Sequence, residues 1–405
     1  MDIIIANPPW YYQEKDKWRF GIRSGSRWPF TVPQEKDFLI RYRPFPFWLA
    51  YTQALLLKKN INSIFVDSIA RGDTYEQFYN MVFHEHPQYV FFEMSTPSYK
   101  NDIMIAKELH KMGVKVLIGG THATVFAKEL LKKESIFAIF KGEYEFSLLR
   151  FLKKDLTSGI KETIEFDINT LPFPYRDKNV IWQYRERTHD FTPFQISILT
   201  SRGCPYLCSF CQWPKVMYNK KIRFRDLFFI EKEILELKRR FGKDIYIYID
   251  DDTFNLNEER SIEISDIFAK HKLKWGAMCR IDTTSKKGWK KLYDNGLRHV
   301  NIGIESASQQ LLNTINKKLN IEKAEEKIKF LNKIGMHIHL TFMFGIPGET
   351  KKDIEMTKNF FDRVNVASKQ QSKCIPLPGT TWWESLNKEE RNRDFDGYKT
   401  LIGRL

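Results

Sequence analysis

Short apolar runs alternate with stretches of helical periodicity in the first part of the chain. The runs are rich in β-branched and aromatic residues and are bounded by polar turns, as buried strands are. The predicted strands are Ile3–Asn7, Ser63–Asp67, Tyr89–Met94, Lys115–Gly120 and Phe137–Gly142, and the predicted helices are Phe47–Lys58, Tyr75–His84, Asn101–Met112 and Val125–Lys132. This alternation predicts an α/β domain with a doubly wound parallel sheet.

The same alternation returns further along the chain. The predicted strands are Phe194–Thr200, Asp244–Ile249, Trp275–Arg280, His299–Ile304, His337–Phe344 and Ser372–Pro376, and the predicted helices are Leu227–Phe241, Asn257–Lys270, Ser285–Asp294, Ile321–Ile334 and Lys352–Val364, with a short turn at Gln309–Leu312. Six strands that alternate with helices predict an open (βα) barrel rather than a closed eight-fold one.

A proline-bearing stretch, Leu171–Tyr175, follows a polar segment and precedes the second series of strands. Such stretches are typical of connections between domains. We therefore predict a first domain over 1–150, a linker over 151–190, a second domain over 191–376 that begins near Phe191, and a C-terminal tail over 377–405.

The first predicted strand and the first helix are separated by a long segment, Trp10–Pro46. It is rich in aromatic and basic residues, which include Trp18, Arg19, Arg23, Arg27 and Trp28. Loops of this length are usually functional or disordered, and the aromatic content favours order. We expect this loop to fold over the edge of the first domain and to reach the active site.

Length and charge limit the class of protein. A chain of 405 residues exceeds the size at which one hydrophobic core keeps growing, which favours two domains. The 65 Lys and Arg residues against 50 Asp and Glu residues give a formal charge of +15. This excess favours an anionic partner, such as a phosphorylated or carboxylated substrate, a membrane surface or nucleic acid, although a lysine-rich proteome explains it equally well.

The sequence offers no export or membrane-spanning signal. Met1 leads directly into the first predicted strand, and no apolar run approaches the roughly 18 residues of a membrane helix. We expect a cytoplasmic protein without a transmembrane segment.

Three of the five cysteines lie close together, at Cys204, Cys208 and Cys211, directly after the first strand of the second domain. In a barrel of parallel strands, loops at the strand carboxyl ends face the reaction cavity. Three thiolates leave one iron of a [4Fe–4S] cluster open for a substrate, whereas electron-transfer clusters are normally closed by a fourth cysteine. Cys279 and Cys374 stand alone in predicted strands, where a thiol behaves as a small hydrophobe. A structural zinc site is the alternative.

With Phe210 before the last cysteine, this triplet resembles the signature of the radical S-adenosylmethionine (SAM) superfamily. The resemblance implies that the methionyl amino and carboxylate groups of SAM chelate the open iron. One electron from the cluster then cleaves SAM to a 5′-deoxyadenosyl radical, which the barrel shields from water. It also implies an external one-electron donor such as flavodoxin or ferredoxin.

Two further strand ends carry polar groups. Asp251 and Asp252 end the second strand of the barrel, where relatives present acidic residues to the methionyl amino group; an exposed acidic loop is the alternative. Arg280 ends the third strand, where relatives carry an arginine suited to a carboxylate. A salt bridge from Arg280 to Asp282 is an equally good explanation.

The fourth and fifth strand ends resemble the family in the same way. Glu305 ends an apolar strand in a Gly-x-Glu-Ser segment, which implies contact with the cofactor's amino or ribose hydroxyl groups. Gly345 and Pro347 lie in a glycine-rich turn that resembles the segment along the adenosine. Taken alone, that turn would only start a helix.

The first domain resembles flavodoxin-like, or Rossmann-like, cobalamin-binding domains. Asp67 and Gly72 keep the spacing of their Asp-x-His-x-x-Gly motif, with Ile69 at the histidine position. Small residues follow two later strands, and an acidic segment closes the domain; the residues implicated are Ser95, Gly119, Gly120, His122 and Glu143. An isoleucine cannot coordinate cobalt, so the lower face of a bound cobalamin would be open to water or covered by apolar groups.

Two alternatives concern the first domain. His122 is either a metal ligand or, as its glycine-rich turn favours, a packing residue beside the nucleotide tail of cobalamin. The domain as a whole either binds cobalamin or keeps the fold without the cofactor.

The combination is closest to cobalamin-dependent radical SAM methylases and cyclases, and Cys211-Gln212-Trp213-Pro214 is similar to the cyclases. The resemblance implies C-methylation of a small or lipid-like metabolite. The alternatives are cobalamin-dependent ring formation or rearrangement and a methylthiotransferase-like enzyme without cobalamin. Since no second cluster or RNA-binding domain is evident, we expect no nucleic-acid substrate.

Overall fold

The computed structural model describes residues 1–15, 17–25, 29–33, 42–186, 194–391 and 402–403. The described residues fall into two compact units. The N-terminal unit contains those of 1–185 together with 212–219 and 377–391, and the barrel unit contains those of 186–211 together with 220–376 and 402–403. The domain boundaries proposed above stay a prediction. Among the described residues, no helix is long and apolar enough to cross a membrane.

The N-terminal unit is an α/β structure. Its strands are β1 (Ile3–Asn7), β2 (Tyr11–Glu14), β3 (Lys17–Ile22), β4 (Phe30–Pro33), β5 (Tyr42–Arg43), β6 (Ser63–Asp67), β7 (Tyr89–Glu93), β8 (Lys115–Gly119), β9 (Ala138–Phe140) and β10 (Gly159–Lys161). Its helices up to residue 150 are α1 (Phe47–Lys58), α2 (Ser68–Arg71), α3 (Tyr75–Glu85), α4 (Tyr99–Lys111), α5 (Thr121–Val125), α6 (Ala127–Leu131) and α7 (Glu145–Arg150). A π-helical turn over Phe151–Asp155 and short 3-10 turns at Ile168–Thr170 and Ile181–Gln183 follow.

Six strands form a parallel sheet in the order β10-β9-β8-β7-β1-β6. Ile3 lies opposite Ser63 on one side and Tyr89 on the other. β1 and β7 are buried at every position, which explains their unbroken apolar runs. The order is that of a flavodoxin-like sheet, and it confirms the predicted fold class. The strand order reverses at β1, so the crevice typical of ligand binding lies at the carboxyl ends of β1 and β7.

The segment Trp10–Pro46 is not one long loop. It contains an antiparallel sheet in the order β2-β3-β4, in which Tyr11 lies opposite Phe20 and Phe20 opposite Val32. Glycine, arginine and proline interrupt the alternation of apolar and polar residues by which these strands would be recognised in the sequence. Arg27 and Trp28 lie outside the described residues. That this segment reaches the active site stays a prediction.

The barrel unit contains the second parallel sheet. From residue 185 onward the strands are β11 (Arg185–Glu186), β12 (Gln195–Ile198), β13 (Ser201–Arg202), β14 (Arg223–Phe224), β15 (Tyr246–Ile249), β16 (Trp275–Cys279), β17 (Leu297–Glu305), β18 (His337–Phe344), β19 (Ser368–Lys373) and β20 (Ile402–Gly403). The helices are α8 (Trp213–Val216), α9 (Leu227–Phe241), α10 (Glu258–Lys270), α11 (Lys286–Asp294), α12 (Gln309–Thr314), α13 (Ile321–Lys333), α14 (Lys351–Val364), α15 (Thr381–Ser385) and α16 (Lys388–Arg391). Of these, α8, α15 and α16 belong to the N-terminal unit.

The sheet order is β12-β15-β16-β17-β18-β19-β20, and its first six strands are parallel. This confirms the predicted six-stranded partial barrel. Helices cover its outer face, where Trp275 packs on Phe268 of α10 and Phe342 packs on Phe361 of α14. β19 begins four residues earlier than the predicted Ser372, because the sequence Ser-Lys-Gln-Gln-Ser-Lys has no apolar residue by which a strand is recognised.

Candidate active site

The cysteine loop begins where β13 ends and is fixed by its backbone. Gly203 has a φ of +98°, and a Cβ there would collide with the carbonyl oxygen of Lys221, so only glycine fits. The amide of Ser209 donates to the carbonyl of Ile315 at 2.9 Å, and the Asn316 side chain donates to the carbonyl of Leu207 at 2.8 Å. The start of the loop is therefore packed against the segment before β14, and the loop is hydrogen-bonded to the segment after α12.

Cys204, Cys208 and Cys211 are partly exposed on this loop. Burial raises the pKa of the Cys204 thiol, and burial together with the neighbouring Cys208 and Cys204 raises that of Cys211 well above its usual range. Phe210 is buried beside them. Thiols in such surroundings need a cation to become thiolates, and iron supplies one. The three thiols therefore fit the ligands of an iron–sulfur cluster.

The other two cysteines are placed differently. Cys279 is 3 % exposed and Cys374 is 5 % exposed, and both are single thiols buried among apolar groups. Within the part of the chain that the structure describes, no three His, Cys, Asp or Glu side chains converge on the position of one metal ion. A cuboidal cluster takes its cysteines on separate irons and does not need that convergence.

Asp251 and Asp252 have different surroundings despite being adjacent. The Asp251 carboxylate is fully buried and accepts four hydrogen bonds. Its Oδ1 accepts from the amides of Thr200 and Ser201 at 2.6 and 3.0 Å, and its Oδ2 accepts from their hydroxyls at 2.5 and 2.7 Å. Asp251 therefore holds the backbone from which the cysteine loop starts.

Asp252 is half-buried, and its Oδ2 accepts a hydrogen bond from the amide of Gly203 at 2.9 Å. This bond places the carboxylate one residue from Cys204. The next residue, Thr253, has its hydroxyl 3.5 Å from the Cys204 Sγ. Asp252 and Thr253 thus lie against the start of the cysteine loop, whereas Asp251 lies behind it.

Arg280 makes the salt bridge that the sequence left open. Its guanidinium donates two bonds to the Asp282 carboxylate, at 2.9 and 2.7 Å, and one to the carbonyl of Lys317 at 3.0 Å. It also lies 3.6 Å from the centre of the Tyr206 ring, which is part of the cysteine loop. Arg280 thereby connects the end of β16 to that loop through a planar stack.

Glu305 is paired with a lysine that the sequence analysis missed. Lys317 is 7 % exposed, and its Nζ lies 2.8 Å from the Glu305 Oε1. Burial lowers the pKa of the Lys317 ammonium, but the charges of Glu305 and Cys208 outweigh burial and raise it above its usual value. Lys317 follows a short helix in an irregular segment, where no periodicity marks a buried lysine.

The backbone at Glu305 has an uncommon conformation. Glu305 has a φ of +71°, and the pairing of β17 with β18 shifts register between Gly303 and Glu305. A Cβ at Gly303 would collide with the Glu305 carboxylate. Residues in the left-handed region cost free energy and concentrate at functional sites. The side chain lies beside Lys317 at a local distortion of the backbone, and its carboxylate occupies the space next to Gly303.

Gly345 and Pro347 lie in an exposed turn after β18. The Gly345 amide donates to the Glu349 carboxylate at 2.6 Å, and Thr350 caps α14 through a capping box with Asp353. The structure therefore shows the helix-starting role of this turn.

Below the strand ends, the inner face of the sheet is polar. The Asn301 amide donates to the Tyr248 hydroxyl at 2.7 Å, and the rings of His299 and His337 lie 5.2 Å apart. His339 is buried there as well, and burial lowers its pKa to about 4, so it is neutral near pH 7. This polar inner face contrasts with the apolar outer face of the same strands.

In the N-terminal unit, Asp67 caps the short helix α2. Its carboxylate accepts bonds from the Asn7 side chain, the Ala70 amide and the Tyr184 hydroxyl, each at 2.9 Å, and Gly72 ends the helix with a φ of +76°. Ile69 lines a small cavity beside these groups and offers no metal donor.

The small residues after β7 and β8 contact side chains of the same unit. Ser95 bonds to Ser98 at 2.7 Å, and Ser98 donates to Asp102, which forms a buried ion pair with Arg23. His122 is bonded to Thr96 at 3.0 Å, and burial lowers its pKa to about 3.

The paired glycines are also enclosed. A Cβ at Gly119 would lie 2.7 Å from Phe91 and 2.9 Å from Tyr144, and one at Gly120 would lie 2.9 Å from the carbonyl oxygen of Met94. Tyr144, next to the buried Glu143, donates its hydroxyl to Glu93 at 2.7 Å. The unit's own side chains thus occupy the space beside Gly119, and its backbone occupies the space beside Gly120.

Comparison with known proteins decides the class of this site. The model of the radical SAM superfamily matches residues 198–361, which include the cysteine loop and the ends of β15, β16, β17 and β18. The chain carries a radical SAM domain. That domain implies two cofactors, SAM and a [4Fe–4S] cluster, and makes the chain a radical SAM enzyme that needs a reductant.

This radical SAM enzyme is similar to curated proteins over most of its length. An uncharacterized methyltransferase of Pyrococcus horikoshii, PH0819, is 28 % identical in an alignment of 365 residues that covers 84 % of this chain and 78 % of the relative. The anaerobic magnesium-protoporphyrin IX monomethyl ester cyclase of Cereibacter sphaeroides is 26 % identical in an alignment of 387 residues that covers 87 % of this chain and 62 % of the relative.

Among solved structures, the radical SAM methyltransferase TsrM of Kitasatospora setae, with cobalamin and a [4Fe–4S] cluster bound, has a TM-score of 0.66 at 17 % identity, over 83 % of this chain and 70 % of that one. The cobalamin-dependent enzyme OxsB has a TM-score of 0.60 at 17 % identity, over 90 % of this chain and 55 % of that one. Both similarities show a shared two-domain fold.

Proposed function

We propose that this chain cleaves SAM reductively on a cluster held by Cys204, Cys208 and Cys211, and that it is a cobalamin-dependent C-methyltransferase of a small or lipid-like metabolite. The observation that carries the first part is the fixed three-cysteine loop at the carboxyl ends of the barrel strands. When bound, the cluster supplies the one electron that divides SAM into methionine and a 5′-deoxyadenosyl radical.

The chain's own residues orient SAM in this proposal. Asp252 lies beside the start of the cysteine loop, and we assign to it the bonds to the methionyl ammonium. Asp251 has a structural role, since all four of its hydrogen bonds stay within the barrel unit. The paired charges of Lys317 and Glu305 supply an ammonium for the methionyl carboxylate and a carboxylate for a ribose hydroxyl.

Arg280 positions the loop rather than the substrate. Its two donors toward Asp282 and its stack on Tyr206 keep the guanidinium in one place. Gly345 and Pro347 remain our assignment for the segment along the adenosine, and Phe210 for the packing beneath the cluster loop.

The N-terminal unit fits cobalamin held without a protein ligand to cobalt. The support is its flavodoxin-like strand order, the crevice at the ends of β1 and β7, and the cobalamin in structures of similar fold. Ile69 excludes a ligand at the histidine position, and Asp67 is bonded to its own helix. When bound, cobalamin supplies the methyl group. Ser95, Gly119, Gly120, His122 and Glu143 stay our assignment for the wall beside the nucleotide tail.

The test begins with anaerobic reconstitution with iron, sulfide and hydroxocobalamin, followed by desalting and measurement of bound iron and cobalt. The 5′-deoxyadenosine formed with dithionite is measured in parallel. Cys208→Ala should lose cluster iron and 5′-deoxyadenosine formation, whereas the matched Cys279→Ala should keep both. An intact cluster that yields no 5′-deoxyadenosine would overturn the proposal, and 5′-deoxyadenosine without bound cobalt would overturn its cobalamin part.

Ring formation is the second candidate, because the relatives include cyclases. A methylase that takes its methyl group from SAM releases S-adenosylhomocysteine as well as 5′-deoxyadenosine. A cyclase releases 5′-deoxyadenosine without S-adenosylhomocysteine. Chromatography of both nucleosides after incubation with cell extract as the source of substrate therefore separates the two.

A further inference from the structure

A two-stranded ribbon lies directly beside the cysteine loop, with its first strand buried and its second partly exposed. β14 pairs with β13 through Arg223 opposite Arg202 and Phe224 opposite Ser201, and β13 leads into Gly203 and Cys204. The carbonyl of Lys221 fills the space that a side chain at Gly203 would occupy. β13 ends at Arg202, two residues before Cys204. Because consecutive Cα atoms are about 3.8 Å apart, the ribbon backbone lies close to the first cluster cysteine.

The ribbon and the first turns of α9 carry large apolar side chains in water. Phe224 is 40 % exposed and Phe228 is 61 % exposed. Lys232 lies 4.3 Å from the centre of the Phe228 ring, and Arg260 lies 4.9 Å from that of Phe224. Phe224 and Phe228 are four positions apart in the chain, and exposed aromatic groups rimmed by polar residues mark binding surfaces. We name Lys220, Lys221, Arg223, Phe224, Phe228 and Lys232 the ribbon face.

The charge of this segment is strongly positive. Residues 220–232 contain five Lys and Arg side chains and two acidic ones, Asp226 and Glu231. Arg225 is buried in an ion pair with Glu233, and Glu231 pairs with Lys270 and His271. Lys220 and Lys221 are exposed. The ribbon face therefore presents cations around two aromatic rings.

We propose that the ribbon face binds an acidic one-electron carrier protein of the flavodoxin or ferredoxin class, which passes one electron to the cluster. This inference rests on the proposed function, since reductive cleavage of SAM on the cluster is the reaction that consumes that electron. The carrier is oxidised by one electron and the cluster is reduced by one, with no bond formed or broken. A positive face steers an acidic partner to the site, and exposed rings supply contact area at the centre.

The location beside the cysteine loop suits electron transfer. A carrier on the ribbon face lies against the backbone that leads into Cys204, so its redox centre approaches the cluster from outside the barrel. The lumen side of the cluster stays available to SAM. Cations at the opposite ends of the strands, such as Lys272 and Lys274 before β16, lack this proximity.

The test uses the full chain, a bacterial flavodoxin and its NADPH-dependent reductase. The charge variant is Lys220→Glu with Lys221→Glu and Lys232→Glu, and its matched control is Lys272→Glu with Lys274→Glu. The apolar variant is Phe228→Ala, and its control is Leu235→Ala, which is 48 % exposed on the same helix about 10 Å further from the loop. Flavodoxin affinity is measured by the FMN fluorescence of the oxidised carrier, and 5′-deoxyadenosine formation is measured with flavodoxin and with dithionite.

We expect the charge variant to raise the Kd for flavodoxin about tenfold at low salt. The difference should shrink as the Debye length falls from about 30 Å at 0.01 M to about 3 Å at 1 M ionic strength. Phe228→Ala should raise the Kd about tenfold at both salt concentrations. Flavodoxin-driven 5′-deoxyadenosine formation should fall in both variants and the dithionite-driven rate should not.

An unchanged Kd in both variants, or an equal loss in the controls, overturns the inference. So does a dithionite-driven rate that falls with the flavodoxin-driven one. The inference is also overturned if the wild-type chain forms a dimer that only the ribbon-face variants dissociate. The same holds if an oligonucleotide binds the wild-type chain and loses affinity in the same variants, because either result assigns the face to another partner. If wild type forms no 5′-deoxyadenosine with dithionite, the proposed function fails, whereas the Kd series still tests the docking face by itself.

Discussion

Replacing each of the two adjacent aspartates separates a structural carboxylate from a cofactor-binding one. Asp251→Ala removes four acceptor contacts from a fully buried position. The hydroxyls of Thr200 and Ser201 can rotate toward other partners, but their two amides cannot. Each orphaned buried amide costs about 1–3 kcal/mol, so we expect Asp251→Ala to destabilise the barrel unit by about 4 kcal/mol.

Asp251→Asn is predicted to be far milder. Its side-chain oxygen can take the place of Oδ1 and accept from both amides, while its NH₂ group donates to the two hydroxyl oxygens. The loss is then only that of charge assistance, about 1 kcal/mol. Asp252→Asn should leave stability unchanged, because Asp252 is half-buried and the asparagine oxygen can still accept the bond from the Gly203 amide, and should instead weaken SAM binding about tenfold.

The assay is hydrogen exchange followed by mass spectrometry, on the peptide that contains Thr200 and Ser201. Protection of their amides should fall in the order wild type, Asp251→Asn, Asp251→Ala, and should be unchanged in Asp252→Asn. SAM affinity is measured by equilibrium dialysis on the reconstituted protein. The reasoning would be refuted if Asp252→Asn lost as much protection as Asp251→Ala, or if Asp251→Asn were as damaging as Asp251→Ala.

Three further predictions concern other positions. Gly203→Ala should lose most of its cluster iron after reconstitution, because its φ of +98° and the Lys221 carbonyl exclude a Cβ; a normal iron content would contradict this. Arg363 and Lys329 lower the pKa of Glu325 to about 2, so its stabilising effect is present above pH about 4.3 and is lost as the pH falls toward about 2. Glu325→Gln should therefore reduce urea stability by about 1 kcal/mol at neutral pH and by nothing near pH 2. Burial lowers the pKa of His122 to about 3, so the unfolded imidazole takes up its proton first and stability falls by up to about 1.4 kcal/mol per unit as the pH drops from about 6.5. His122→Gln should flatten that slope in acid titrations, and an unchanged slope would show that His122 is not the titrating group.

The sequence by itself determined the chemistry and the order of the elements. Three cysteines on one loop after a strand indicate a cluster, and apolar runs separated by helical stretches gave both parallel sheets, with α9 and β18 at their predicted bounds. These features are local, since they depend on periodicity of 2 or 3.6 residues and on spacing within one loop. The start of β19 and the sheet of β2, β3 and β4 lack that periodicity, and only pairing with neighbouring strands revealed them.

Tertiary structure alone decided how the polar strand ends are used. The sequence presents Asp251 and Asp252 as equals. In the folded chain both lie just beyond the end of β15, where Asp251 is buried against Thr200 and Ser201 and Asp252 lies at the cysteine loop. The sequence shows Arg280 and Glu305 but not that both contact Lys317. Lys317 is far along the chain from Arg280 and meets both residues only after β16 and β17 have paired. Partners brought together by long-range pairing leave no periodic trace in the sequence, which is why the buried lysine of this site was found only in the folded chain.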